Sequence, residues 1–167
     1  ALRVPAVVAE IGCNHRGEVD TARRLIDAAA FCGANYAKFQ KRNSRELLTP
    51  EQYAAPYVNP NSYGATYGEH RERLEFPIAV HKELRRYCAD RGIGYATSVW
   101  DITSAREVAT LGCEYVKIPS ACNNHLELLR VLRDESHADV HVSLGMTSPE
   151  EEQRLVELFR SQPKRLV

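Results

Sequence analysis

Apolar runs of strand length alternate along the chain with longer segments that carry one apolar face at the helical period. The predicted strands are residues 4–11, 35–41, 93–98, 114–118 and 140–144, with the beginning of a sixth at 165–167. An amphipathic segment follows each of the first five, in the second case only after an irregular stretch. Strictly alternating strands and helices predict a parallel sheet with right-handed crossovers.

Glycine, proline and capping residues mark the ends of the predicted helices. Three of the amphipathic segments are followed directly by a glycine, the residue that most often ends a helix. These glycines are Gly33, Gly92 and Gly112. The last helix is predicted to start after Ser148, where proline and glutamate follow in the order of a capping box. Its buried apolar face is expected to consist of Leu155, Val156 and Phe159. The preceding helix is predicted to begin near Asn124.

Two architectures satisfy this alternation. An open doubly wound sheet collects its ligands at one switch point, so few of its strand ends carry polar chemistry. In a parallel (β/α)8 TIM barrel, every strand presents its C-terminal end at one mouth. Here polar side chains stand at or near the ends of five consecutive strands: Glu10, Lys38, Ser98, Lys117 with Ser120, and Ser143. This distribution favours the barrel.

The length of the chain bears on this interpretation. A (β/α)8 barrel has eight strands and typically about 250 residues. The 167 residues here carry the pattern of roughly strands 1 to 6. We therefore expect residues 1–167 to form the N-terminal portion of a longer barrel protein.

Residues 43–76 interrupt the alternation with four tyrosines among proline, asparagine, glycine and charged residues, and with no sustained period. Connections without regular structure longer than about 12 to 15 residues are uncommon in compact domains and are usually functional. We predict a long loop after the second strand that acts as an active-site lid or binds a partner. The alternative is a surface excursion that contains a short helix.

Charge and cysteine content narrow the functional classes. The chain has 22 Lys and Arg against 22 Asp and Glu, with no block of one sign, so we expect neither nucleic acid nor a membrane surface as partner. No apolar run is long enough to span a bilayer. The five cysteines are scattered and include no C-x-x-C, which predicts reduced thiols and a cytoplasmic location.

Two lysines lie inside predicted buried strands. Lys117 stands within YVKI of the segment 115–124, and Lys38 shares one strand face with Tyr36 and Gln40. Burial of an unpaired ammonium costs several kcal/mol or more, so an inward lysine indicates an anionic partner. The alternative for each lysine is a buried stem whose charged head reaches water. The occurrence of the pattern on two strands favours a functional pair.

Two lysines, three serines and one glutamate at a barrel mouth suit a small and highly anionic substrate. Either lysine could instead form a Schiff base, as in barrel aldolases, if burial lowered its pKa. The histidines add no clear metal site, because no two of them lie four residues apart on one predicted helix. We expect His15 to face the mouth and either contact a ligand or orient its loop, and expect His81 on a helix surface.

Five separated motifs occur in order: AEIGCNHRG (9–17), AKFQKR (37–42), NPNSYGATYGEHRE (59–72), YVKIPSACNN (115–124) and SLGMTSPEE (143–151). Together they resemble the sialic acid synthase family. These nonulosonate synthases condense phosphoenolpyruvate with an N-acetylmannosamine-type sugar, giving a sialic acid or related nonulosonic acid and phosphate. The resemblance covers essentially the whole chain.

The resemblance implies a fold, a set of site residues and a cofactor. The family has a (β/α)8 barrel followed by a small antifreeze-like domain and works as a homodimer. The implied phosphoenolpyruvate ligands are Lys38, Lys117, Ser98, Ser120 and Ser143, with Glu10 near the acceptor sugar and Asn61 contacting it. The implied divalent metal, Mn²⁺ or Mg²⁺, would polarise the sugar aldehyde, with its ligands beyond Val167 and none in this chain.

In the implied reaction, C3 of phosphoenolpyruvate attacks the aldehyde, water adds at C2, and phosphate leaves with cleavage of its C–O bond. The lysines would act by position and charge. Two alternatives of other classes remain: a Schiff-base barrel aldolase, and a non-catalytic truncated barrel that binds an anion or a partner.

Overall fold

A five-stranded parallel sheet forms the centre of the protein in the computed structural model, which describes residues 4–160 and 166–167. The strands are β1 (Val8–Gly12), β2 (Tyr36–Lys41), β3 (Gly94–Val99), β4 (Tyr115–Ile118) and β5 (Asp139–Val142). The helices are α1 (Val19–Phe31), α2 (Ser44–Leu47), α3 (Pro50–Ala54), α4 (Tyr67–Arg73), α5 (Ile78–Asp90), α6 (Ile102–Ala109), α7 (Leu126–Glu135) and α8 (Pro149–Phe159). A short 3-10 helix, Ser120–Cys122, lies between β4 and α7.

The spatial order of the strands is their order in the sequence, β1-β2-β3-β4-β5, and all the pairings are parallel. A doubly wound sheet reverses its direction at a switch point. The observed order has no reversal and is the order found in the wall of a (β/α)8 barrel. After β5, Leu166 forms an isolated parallel bridge with Val140, as expected for the start of a sixth strand, whereas Arg165 lies outside the described residues.

The two faces of the sheet differ as the alternation predicted. On β2, Ala37 and Phe39 are fully buried in the core, and on β4 the same is true of Val116 and Ile118. Lys38, between the first pair, is only half-buried on the opposite face. The helices therefore cover one face of the sheet, and the polar residues of the strands lie on the other.

Several predicted boundaries move by a few residues. β1 begins at Val8 instead of at residue 4. α7 begins at Leu126 rather than near Asn124, because the ring of His125 accepts a hydrogen bond from the backbone of Leu128 and caps the helix. The capping box at Ser148 is confirmed. The predicted burial of Val156 is wrong, since this side chain is 53% exposed.

Residues 43–76 are not a loop without regular structure, and the prediction is wrong in this respect. They contain three short helices, α2, α3 and α4. Thr49 and Thr66 start α3 and α4 with complete capping boxes, in which a glutamine and a glutamate three residues later return a side-chain bond. The capping signal was present in the sequence, but it belongs to helices of five and seven residues, which are too short to show an apolar period.

A cluster of aromatic and histidine rings fills the core between β2, β3 and α5. His81 is fully buried, so its predicted surface position is wrong. Its Nδ1 shares a 2.6 Å hydrogen bond with the hydroxyl of Tyr95, and its Nε2 has no partner in the described part of the chain. Burial lowers the pKa of His81 from 6.5 to about 3. The histidine is therefore neutral in the folded protein at every pH near neutrality.

The pKa of His81 predicts a loss of stability in acid. Because its folded-state pKa lies below the unfolded value, its stabilising contribution is complete above about pH 6.5 and falls as the pH decreases toward 3. At pH 5 the loss is about 2 kcal/mol for one such group. We expect the double variant His81→Leu with Tyr95→Phe, which removes both hydrogen-bond partners, to lose less stability than the wild type between pH 7 and pH 5.

Urea unfolding of the full-length protein at both pH values measures this difference. The matched control is His137→Leu, because His137 is an exposed histidine and its replacement should leave the pH dependence unchanged. If the double variant and the wild type lose equal free energy of unfolding on acidification, the buried His81 does not cause the acid loss.

Candidate active site

A row of polar side chains crosses four neighbouring strands on the face opposite the helices. Glu10 on β1 is paired in register with Lys38 on β2, and Ser98 on β3 is paired with Lys117 on β4. The Lys38 ammonium forms an ion pair with the Glu10 carboxylate and lies 3.5 Å from the hydroxyl of Ser98. The structure thus brings four of the predicted site residues together.

The position of the lysines follows from the alternation of side chains along a strand. Ala37 and Phe39 flank Lys38 in the sequence and are completely buried against the helices, so Lys38 must face the other way. The same holds for Lys117 between Val116 and Ile118. A slip of one residue in either strand would place an ammonium in the apolar core, so the register of both strands is strongly fixed.

The electrostatics of the row favour an anionic ligand. Burial, with the positive charge of Lys117 as the second cause, lowers the pKa of Lys38 from 10.5 to about 8. The contact with Glu10 opposes this shift, so Lys38 is mainly protonated at pH 7. Burial also lowers the pKa of Lys117. Two nearby ammonium groups repel each other, and one carboxylate offsets only part of their charge.

The serines that follow β4 and β5 lie on two loops that are fastened together. The buried side chain of Asn123 donates hydrogen bonds of 3.1 Å to the carbonyls of Ser143 and Gly145. A Cβ atom on Gly145 would lie 3.0 Å from the Cβ of Ser120, so glycine permits the close approach of the second loop. Ser120 and Ser143 therefore belong to adjacent loops at the same edge of the sheet as the lysines.

Asn61 lies in a different place, a cleft of about 590 Å³ between the loop after β1 and the segment before α4. Asn14 and Arg16 line one side, and Tyr57 and Tyr63 line the other. The loop with Asn14 begins directly after Gly12, the last residue of β1, and is therefore close in sequence to Glu10. The structure does not bring Asn61 among the inward-facing lysines.

His15 orients the loop after β1. Its side chain is only 2% exposed and stacks on Phe76 with ring centroids 4.1 Å apart. Its Nδ1 accepts a hydrogen bond from the backbone N–H of Gly17. Burial lowers the pKa of His15 from 6.5 to about 4, so the ring is neutral at pH 7. Of the two roles considered for His15, the structure supports the one within the loop.

Two further polar residues face the lysines, and sequence reasoning did not select them as site residues. Gln40 pairs in register with Ser98, and His141 on β5 pairs with Lys117. The ring of His141 lies 4.3 Å from that of Tyr115. The alternation of polar and apolar residues in 139–143 could have found His141, because its apolar neighbour Val140 is completely buried.

The described residues do not fit a divalent metal by themselves. Within residues 4–160 and 166–167, no three His, Cys, Asp or Glu side chains come together as possible ligands. No chemical step is therefore assigned to a metal held by these residues.

The same part of the chain contains no helix long and apolar enough to cross a bilayer.

The coupling between the two lysines can be tested by removing one charge. Lys117→Met should raise the pKa of Lys38, because it removes the positive charge that lowers it. NMR titration of 13C-labelled lysine side chains in the full-length protein measures the shift. Lys82→Met, on the exposed surface of α5, is the matched control and should leave the pKa of Lys38 unchanged. An unchanged pKa in Lys117→Met would show that the two ammonium groups do not interact.

The chain resembles known proteins both in sequence and in structure. A family model described as the NeuB family matches residues 25–167. The N-acetylneuraminate-9-phosphate synthases of Mus musculus and Homo sapiens are each 35% identical over 142 residues, which is 85% of this chain and 39% of theirs. The N,N'-diacetyllegionaminic acid synthase of Campylobacter jejuni is 28% identical over 148 residues, 88% of this chain and 44% of its own. The chain thus spans about two fifths of the length of these curated relatives.

Solved structures agree with the strand order. The N-acetylneuraminic acid synthetase of Leptospira borgpetersenii, solved with citrate, superposes with a TM-score of 0.79 at 25% identity and covers 98% of this chain and 53% of its own. A truncated 3-deoxy-D-arabino-heptulosonate 7-phosphate synthase of Thermotoga maritima gives a TM-score of 0.64 at 11% identity, over 97% of this chain and 49% of its own, and shows a shared fold. On the match over residues 25–167, the chain belongs to the NeuB family.

Proposed function

We propose that the full-length protein condenses phosphoenolpyruvate with N-acetylmannosamine or a related amino sugar to give a nonulosonic acid and phosphate. The observation that carries the proposal is the row of Glu10, Lys38, Ser98 and Lys117 across four adjacent strands. Membership of the NeuB family supports it, as do the synthase names of the relatives.

The charges of the row suit phosphoenolpyruvate. This substrate carries a phosphate and a carboxylate on three carbons, and its two anionic groups match two lysines that repel each other without a ligand. Lysine acts toward phosphate as a flexible point charge, while hydroxyl groups donate the shorter and more directed hydrogen bonds. We assign the point charges to Lys38 and Lys117 and the hydroxyl contacts to Ser98, Ser120 and Ser143.

The reaction forms one C–C bond and breaks one C–O bond. The electron pair of the enol double bond moves from C3 of phosphoenolpyruvate to the aldehyde carbon of the sugar, and the aldehyde oxygen takes a proton. Water then adds to the cationic C2 and loses a proton. Phosphate departs with the electrons of its C–O bond, and the C2 hydroxyl gives up its proton and becomes the ketone. The lysines hold the anionic groups through these changes, which is catalysis by position and charge. Glu10, half-exposed beside Lys38, is our candidate for contact with the acceptor sugar.

The rest of the protein is part of the proposal. We propose that residues 1–167 form the N-terminal portion of a (β/α)8 barrel, supported by five strands in sequential order and the bridge at Leu166. We expect the remaining strands, an antifreeze-like domain, a homodimer partner and the ligands of a divalent metal, Mn²⁺ or Mg²⁺, outside this chain. Five free thiols support a reducing, cytoplasmic compartment.

The two alternatives are less well supported. A Schiff-base aldolase needs a neutral lysine as nucleophile, whereas Lys38 is in an ion pair with Glu10 and is mainly protonated at pH 7. A non-catalytic anion-binding module would explain the lysines, but the named relatives are synthases. The synthase proposal accounts both for the inward-facing lysines and for the synthase names of the relatives.

A direct assay tests the proposal. The full-length protein should release phosphate from phosphoenolpyruvate only when an N-acetylmannosamine-type sugar and a divalent metal are both present. Lys38→Met and Lys117→Met should each lower kcat/KM for phosphoenolpyruvate by about 100-fold, as expected when one charged hydrogen bond to an anion is lost. Lys82→Met is the control for an exposed lysine and should retain full activity. Phosphate release without sugar or metal, or full activity in both site variants, would contradict the proposal.

Chemical trapping separates the synthase from the aldolase. If the lysines act only as charges, borohydride treatment in the presence of pyruvate, sialic acid or phosphoenolpyruvate should leave no adduct on Lys38 or Lys117. Mass spectrometry of peptides that contain each residue gives the readout, and a known Schiff-base aldolase treated in parallel is the positive control. A reduced imine on either lysine would assign the protein to the aldolase class.

A further inference from the structure

The loops after β4 and β5 meet along a line that carries two of the proposed phosphoenolpyruvate ligands. We call this line the serine seam; it runs between residues 119–124, after β4, and residues 143–147, after β5. Ser120 lies on the first loop, and Ser143 begins the second. Two hydroxyl groups can hold one anionic group only while their loops keep a fixed separation, so the contacts across the seam bear on ligand binding.

In the described part of the chain, the backbone ladder between β4 and β5 ends where the seam begins. Its last bond runs from the N–H of Ser143 to the carbonyl of Ile118, over 3.0 Å. Beyond that bond, the hydrogen bonds that join the two loops among the described residues come from the side-chain amide of Asn123. One side chain therefore holds the loops together where the strands no longer do.

Asn123 is fixed in the seam by its burial and by the geometry of its amide. The residue is only 5% exposed, and its Nδ2 donates a 3.1 Å hydrogen bond to the carbonyl of Ser143 and another to that of Gly145. A primary amide has two N–H donors, one for each of these carbonyls. The next residue, Asn124, is exposed. Of two consecutive asparagines, one is a buried tie and the other a surface residue.

Gly145 shows how closely the two loops approach. A Cβ atom at this position would lie 3.0 Å from the Cβ of Ser120, which is nearer than the normal contact distance of about 3.5 to 4.0 Å between carbon atoms. Glycine leaves room for the approach, and Asn123 maintains it through the bond to the Gly145 carbonyl. Steric contact thus limits how near the loops can come, and the amide limits how far apart they can move.

We propose that Asn123 is a positioning residue that holds the hydroxyls of Ser120 and Ser143 at the separation needed to bind one anionic group of phosphoenolpyruvate. The inference rests on the proposed function, because it concerns serines that are assigned there as ligands. Asn123 acts through these serines and does not contact the substrate. Hydrogen bonds from hydroxyl groups to an anion are short and weaken steeply with poor geometry, so an unfastened loop would lose much of the contribution of both serines.

Kinetics of the full-length protein test the role of Asn123. Asn123→Ala removes both bonds across the seam and should raise KM for phosphoenolpyruvate by about tenfold, the value of one or two neutral hydrogen bonds. KM for the amino sugar should stay within about twofold of the wild-type value. Asn124→Ala, at the exposed neighbour, is the matched control and should change neither KM. A variant that is merely less well folded would lower the concentration of active enzyme and leave both KM values unchanged.

A second variant disturbs the seam in the opposite way. Gly145→Ala retains the amide of Asn123 but places a methyl group against Ser120, so the loops must move apart. We expect the same result as for Asn123→Ala, a higher KM for phosphoenolpyruvate with an unchanged KM for the sugar. A wild-type KM for phosphoenolpyruvate in either variant, or an equal rise of KM for both substrates in Asn123→Ala, would overturn the inference.

A double-mutant cycle tests whether Asn123 acts through the serines. In a protein that already carries Ser120→Ala with Ser143→Ala, the further change Asn123→Ala should weaken the binding of phosphoenolpyruvate by about twofold or less, because the hydroxyls that it positions are gone. An effect as large as in the wild-type background would show that Asn123 does not act through these serines, which contradicts the proposal.

A binding measurement separates this inference from the proposed function. If the full-length protein turns over no N-acetylmannosamine-type sugar, the proposed function fails, and calorimetric titration with phosphoenolpyruvate alone then decides the role of Asn123. Binding that Asn123→Ala weakens by about tenfold, and that Asn124→Ala leaves intact, supports the positioning role. No binding by the wild type, or equal binding by the wild type and Asn123→Ala, overturns it.

Discussion

The ammonium group of Lys38, held between the carboxylate of Glu10 and the hydroxyl of Ser98, links three strands in one contact. A lysine that faces inward from a sheet is stable only when an opposite charge meets it. On the other face of β2, Phe39 packs fully into the core, so the strand cannot turn to expose the lysine. The alternation of side chains along β2 therefore fixes both the register of the strand and the face of the sheet that carries the charged groups. Lys117 faces the same way from β4, so the row carries two ammonium groups against the one carboxylate of Glu10, an excess of positive charge that an anionic ligand would neutralise.

The segment between β2 and α5 forms one wall of the cleft that contains Asn61. Its far end is tied to the residue that follows β2 by the ion pair of Arg42 with Glu75, in which Arg42 Nε lies 2.6 Å from Glu75 Oε1 and both side chains are nearly buried. Loss of one partner of such a pair typically costs about 3 to 5 kcal/mol, because the other charge stays buried. The contact of Gly17 with Arg73 and the stacking of His15 on Phe76 add two further links. The cleft thus owes its shape to contacts between residues remote in sequence.

The loops after β4 and β5 show how one amide can organise two strand ends. Asn123 fastens the backbone of Ser143 and Gly145 beside Ser120, so the serines of two strands share one edge. His141, one strand from Lys117, adds a titratable ring to the inner face. Its tilted contact with the ring of Tyr115 joins the lysine row to a second aromatic ring, because Tyr115 in turn makes an edge contact with Tyr36.

The sequence by itself determined the alternating strands and helices, the face on which Lys38 and Lys117 lie, and the capping box at Ser148, because these depend on local period and on near neighbours. Only the tertiary structure decided which residues of other elements each face of a helix or strand contacts. The burial of His81 depends on Tyr95, which lies on another element, and the pairing of Lys117 with His141 depends on the register of two strands. The cleft that contains Asn61 likewise requires that the loop after β1 meet a segment more than 40 residues away. Periodicity orients a side chain relative to its own helix or strand, whereas its neighbours are set by the packing of elements far apart in sequence.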